Sequence, residues 1–109
     1  MKGLEHVSAL GDALGRASLS PRERLQEAAQ LFWQAMFYEQ TWPESARGQA
    51  AALVSRLFFR GPIYRTVSLM DDEAIGQTLI DLRRFVDTLE RAARPTQIGD
   101  RDAELQLEN

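Results

Sequence analysis

Along most of this chain apolar side chains recur at intervals of three and four residues, the period of an α-helix rather than of a strand. The clearest run is Ile75, Leu79, Leu82, Val86, Leu89 and Ala93, which predicts a long helix over 72–93 with a seam suited to antiparallel packing at about 20°. Ile80 and Phe85 widen that stripe. Ala46, Ala50, Leu53, Val54, Leu57 and Phe58 predict a similar helix over 43–60. Leu4, Val7, Leu10 and Leu14 mark a weaker one over 4–17, because Gly11 and Gly15 each cost about 1 kcal/mol relative to Ala. The helix over 21–41 differs from the others. Its core stripe, Leu25, Ala28, Ala29, Phe32, Ala35 and Met36, is flanked by Leu31 and Tyr38 on one side and by Trp33 and Phe37 on the other. Only Glu23, Glu27, Gln30 and Gln34 form a clear polar strip. A helix so widely apolar is expected to be contacted on several sides, as the centre of its own bundle or at an interface.

Local signals set the boundaries. Ser20-Pro21-Arg22-Glu23 and Thr41-Trp42-Pro43-Glu44 both read as capping boxes, a hydroxyl followed three residues later by Glu. Proline is tolerated in each first turn, Pro21 at the first helical position and Pro43 at the second, where the missing N–H has no intrahelical partner. Leu19 is placed as a hydrophobic staple. Trp42 precedes proline and is pushed out of the α region, so the chain breaks or turns sharply there. Gly61-Pro62 is a helix stop, with glycine suited to a left-handed cap. Residues 62–70 fit a short helix through Ile63, Val67 and Met70, although their β-branched members also allow a strand or extended turn. Asp71-Asp72-Glu73 caps the last helix with an acidic first turn, and Pro95 ends it. The expected organisation is one helical domain over 1–95 and a flexible acidic, polar tail over 96–109. In the tail, Leu105 and Leu107 stand two residues apart, a spacing with which they could dock as a short strand or turn onto a partner.

Composition removes several classes of function. With no cysteine among 109 residues, thiolate metal sites, thiol nucleophiles and disulfide frameworks are excluded. His6 is the only histidine, too little for a metal site or a Ser-His-Asp triad, and it is read as an exposed or packing residue. The acidic run at 71–73 lacks the form of an EF-hand loop. There is no glycine-rich phosphate loop, and the single lysine is Lys2. No cofactor is therefore expected. The 13 basic and 16 acidic residues give a net charge of −3, which weighs against a phosphate-binding surface. No apolar run approaches a membrane span, and the first residues lack a signal-peptide core, so a cytoplasmic protein without membrane contact is expected.

These features predict an all-α antiparallel bundle of three long helices, a weak N-terminal helix and a short connecting helix. The expected function is a non-enzymatic protein–protein interaction or assembly module, most simply a homodimer. Its candidate interaction residues are Trp33, Phe37, Trp42, Phe59 and Tyr64, of the types enriched at interface hot spots. The alternative is a nucleic-acid-associated or transcription-regulating protein using a patch of Arg56, Arg60 and Arg65, because arginine forks suit phosphate and carboxylate. A chain ending near Arg94 should keep its helicity by circular dichroism and its melting temperature. A collapse of the fold on truncation would contradict the domain boundary.

Overall fold

The structure is a computed structural model, and it describes residues 4–93. They form an all-α bundle: α1 (Leu4–Leu14), α2 (Pro21–Ala35), a 3₁₀ segment (Met36–Thr41), α3 (Glu44–Leu57), α4 (Ile63–Leu69) and α5 (Asp72–Ala93). No strand occurs among the described residues, so the helical alternative for 62–70 is the one adopted. The expected tail lies outside them, as does most of the C-terminal boundary region.

α2 is the central element, packed against α1, α4 and α5. Its predicted stripe is the core: Leu25, Ala28, Ala29 and Phe32 are fully buried and Ala35 nearly so. Small residues on this face let neighbouring helices approach, while Phe32 fills the space between them and meets the ring of Phe85 edge-on at 5.3 Å. α5 supplies Ile75, Leu82, Phe85, Val86 and Leu89, and α3 supplies Ala46, Ala50, Leu53 and Leu57. Ile80 does not join the α5 stripe and is half exposed. It lies two residues from Leu82, about 200° around the helix, and so faces away from the core.

α1 plays a larger part than its glycines suggest. It packs along α2 and against α5, and Val7, Leu10 and Ala13 are all buried. Tertiary burial outweighs the local cost of Gly11, as it commonly does for amphipathic helices. The loop that follows is tied down by Arg24, which donates from Nε to the Arg16 carbonyl (3.1 Å) and from a terminal nitrogen to that of Leu19 (3.1 Å). Arg16 in turn pairs with Glu27.

The two capping boxes part company. At Ser20 the box is complete: the Glu23 N–H donates to Ser20 Oγ at 3.2 Å, and the Ser20 N–H donates to the Glu23 carboxylate at 3.0 Å. These bonds from Ser20 hold the Glu23 carboxyl below its ordinary value of 4.5. At Thr41 there is no box. α2 ends at Ala35, and the chain tightens into the 3₁₀ segment, in which Tyr38 leaves helical geometry (φ −105°, ψ 15°). The Thr41 hydroxyl is taken by the Tyr38 carbonyl (2.8 Å), and Pro43 itself occupies the N-cap of α3 with no side-chain cap. Trp42, held extended before proline (φ −87°, ψ 152°), makes the turn expected of it.

Asp71 caps α5, accepting from the Ala74 N–H at 2.8 Å. Gly61 has φ +106°, the region that favours glycine, and reverses the chain between α3 and α4. Ser20→Ala should therefore cost about 0.5–2 kcal/mol in urea unfolding, and Thr41→Ala distinctly less, because the latter removes no helix cap. Equal losses would show that Thr41 holds the α3 start in some other way.

Candidate functional site

The chain reversal between α3 and α4 builds the most distinctive surface of the molecule. Phe58 closes α3 and turns its ring inward, edge-on to Trp33 of α2 at 4.8 Å, while its neighbour Phe59 points outward and is 76 % exposed. The loop is pinned by one buried hydroxyl. Thr66 Oγ1 accepts from the Arg60 N–H (3.1 Å) and donates to the Gly61 carbonyl (3.2 Å), so α4 holds the loop that precedes it. The sequence marks Thr66 only as a β-branched residue in a short helix, and no local signal reveals its partners six and five residues back.

Between α3, α4 and the start of α5 lies an open groove of about 500 Å³. Ala52, Leu69, Met70 and Ala74 give it apolar walls, Phe59 stands at its edge, and Arg56 and Arg60 complete the lining. Its lining includes two arginines and no carboxylate. Arg60 sits over the Phe59 ring, 5.5 Å from the centroid, a cation–π contact of about 0.5–1 kcal/mol at an exposed site. Arg56 reaches the other way, donating to Asp81 of α5 at 2.6 Å and to Thr78 Oγ1 at 3.4 Å. Asp81 also accepts from Gln77 at 3.0 Å and has Arg84 at 3.8 Å. Partial burial pushes the Asp81 carboxyl up, but the hydrogen bonds from Arg56 and Gln77 and the charges of Arg56 and Arg84 outweigh it and hold it below 3.8.

The candidate interaction residues do not form one surface. Trp33 is 46 % exposed and Phe37 83 %, along α2 and the 3₁₀ segment. Phe59 belongs to the α3/α4/α5 groove. Tyr64 stands exposed on a second, more polar groove between α2 and α4, where Gln26 donates to the Tyr64 carbonyl at 3.2 Å. Trp42 is not a surface residue. It is 3 % exposed and meets Phe85 edge-on at 5.2 Å, because the extended turn before Pro43 folds its indole back over the core. The arginine patch is likewise divided: Arg56 is paired with Asp81, Arg60 lies over the Phe59 ring with no carboxylate partner among the described residues, and Arg65 is exposed on α4 outside the groove lining.

Among the described residues no three His, Asp or Glu side chains are grouped to hold a metal ion, and no helix is long and apolar enough to cross a membrane. The His6 ring lies 5.5 Å from that of Tyr38, the packing role expected of it. No protein-family model matches the chain, and comparison with curated proteins and with solved structures finds no match.

The Arg56–Asp81 pair has a pH signature. A carboxyl held below its unfolded value contributes stability that is present above about pH 4 and lost as pH falls through the folded value. For so partly exposed a pair the contribution is about 0.2–1 kcal/mol. Asp81→Asn should lower the urea midpoint at pH 7 and should unfold together with the wild type near pH 2–3. A deficit equally large at both pH values would mean that Asp81 acts through packing and not through its charge.

Proposed function

We propose that this chain is a non-enzymatic interaction or assembly module that pairs with a second copy of itself through the aromatic face formed by α2 and the 3₁₀ segment. One observation carries the reading: α2 already buries a full stripe from Leu25 to Ala35, yet its Trp33 and the neighbouring Phe37 of the 3₁₀ segment are left to solvent, 46 % and 83 % exposed. Isolated exposed apolar residues are ordinary, but two large aromatics four residues apart, at the end of an otherwise buried helix and in the segment that follows it, are the type of anchor that interfaces use. The edge-on contact with Phe58 holds Trp33 in place, which lowers the ordering cost of association.

The magnitudes favour a weak pair. Covering the exposed parts of both rings on both copies removes roughly 500 Å² from water, or about 12 kcal/mol at ~25 cal/mol per Å². Association costs about 4–15 kcal/mol in lost freedom, so these anchors alone support pairing only at micromolar concentration or above. Nucleic-acid binding has less support, since Arg56 is paired with Asp81 and Arg65 lies outside the groove lining, which leaves Arg60 alone of the three both in the groove and without a carboxylate partner among the described residues. That alternative requires affinity that falls steeply with salt, which apolar pairing does not.

Light scattering over a concentration series should move from the 12.3 kDa chain mass toward twice that value. Trp33→Glu and Phe37→Glu should each hold the protein at the lower mass with its helicity unchanged. A wild type that stays at the single-chain mass at every concentration would eliminate the homodimer, and a mass shift indifferent to both substitutions would move the interface elsewhere.

A further inference from the structure

The groove between α3, α4 and α5 is a separate feature from the α2 face, and its chemistry has a counterpart in this chain. Residues 1–99 carry twelve basic and twelve acidic side chains, so the net charge of −3 resides in residues 100–109. That segment holds Asp100, Asp102, Glu104 and Glu108 against Arg101 alone, together with Leu105 and Leu107. The groove offers the complement: apolar walls from Ala52, Leu69 and Met70, with Arg56 and Arg60 and no carboxylate in the lining. Leu69 and Phe59 at its margin are 59 % and 76 % exposed, so an occupant would cover apolar surface that the bundle leaves wet.

We infer that this groove is the docking site for the acidic segment 100–109 of the same chain, with Leu105 and Leu107 seated against Phe59, Leu69 and Met70 and the carboxylates meeting Arg60. The span permits it. Ala74, at the groove, lies nineteen residues before Ala93 on α5, about 29 Å along the helix axis. The twelve residues from Arg94 to Leu105 reach up to about 40 Å when extended, enough to span the distance back along α5 with length to spare for the chain to reverse. Of the two groove arginines Arg60 is the available one: its guanidinium contacts only the Phe59 ring, whereas Arg56 is shared with Asp81. Because the attraction has a charged component, it weakens as salt rises. Tethering supplies a high effective concentration, so even a modest intrinsic affinity fills the groove.

The absence of cysteine makes a direct test possible, since Gln106→Cys in the full-length chain gives a single thiol for a nitroxide label. In the isotope-labelled, spin-labelled protein at low concentration, the amide signals of Ser55, Phe59, Arg60 and Leu69 should be lost to paramagnetic broadening and should return when the label is reduced. Adding Leu105→Asp with Leu107→Asp, or Arg60→Glu, should restore those signals with the label intact. Signals unaffected at the groove, or broadened around Trp33 and Phe37 instead, would overturn the inference. It would equally be overturned by broadening as strong in isotope-labelled, unmodified chain mixed with spin-labelled chain of natural isotope composition, since the segment would then belong to a neighbour. The scattering mass of the same samples reports on α2-face pairing independently, so either idea can fail without the other.

Discussion

The bundle is organised around Phe85. Its ring receives Phe32 from α2 at 5.3 Å and Trp42 from the turn before α3 at 5.2 Å, both edge-on and all three buried. Edge-to-face packing matches the positive rim of one ring to the negative face of the next and adds about 0.5–1.5 kcal/mol per pair beyond area burial. More important is what this cluster joins. It fixes the last helix to the central one and draws in the segment between α2 and α3, so the direction in which α3 sets off depends on it. The 3₁₀ segment and the Pro43 turn have no buried residue of their own apart from Trp42 at their end, and without that anchor their geometry would rest on exposed hydrogen bonds.

A second set of constraints is polar and lies at the edges of the core. Arg22 donates to the Val67 and Ser68 carbonyls at 2.7 and 3.3 Å, satisfying backbone groups near the end of α4 from the first turn of α2. Thr66 binds the loop before α4, and Thr78, fully buried, returns its hydroxyl to the Ala74 carbonyl at 2.7 Å while accepting from Arg56. Seven residues are too few for a helix to persist alone. α4 is held because Ile63 and Val67 are buried beneath it, because Arg22 of α2 bonds the carbonyls near its C-terminal end, and because Thr66 ties it to the loop before it. The groove proposed as a docking site exists for the same reason, since α4 forms one of its walls.

The exposed aromatics follow from the same geometry. Phe58 and Phe59 are consecutive, so at the end of a helix they point apart: one is used against Trp33, and the other is left outside. Trp33 and Phe37 stay accessible while α2 packs against α1, α4 and α5, with Trp33 touched by the ring of Phe58. The proposed dimer face and the proposed tail site therefore lie on either side of one dipeptide.

Much of this architecture is legible in the residues. Apolar periodicity marks all five helices, the Ser20 box and the Asp71 cap set two helix starts, and Gly61 takes the positive φ that its position before Pro62 suggests. These are local effects, determined within one or two turns of chain. Tertiary structure alone decided the rest. Thr41 and Glu44 have the spacing of a capping box, but the 3₁₀ segment turns the threonine hydroxyl to Tyr38, next to Trp42, whose indole is packed against Phe85 far along the chain. Trp33 sits in an apolar run and Trp42 in a polar one before proline, yet it is Trp33 that is half exposed and Trp42 that is buried against Phe85, the reverse of what their sequence neighbours suggest. Arg56 and Arg60 differ in availability only because Asp81, twenty-five residues beyond Arg56, lies across the α3–α5 contact. Period and cap chemistry are fixed by covalent neighbours, whereas which apolar face stays wet and which charge is already paired depend on where the other helices come to rest.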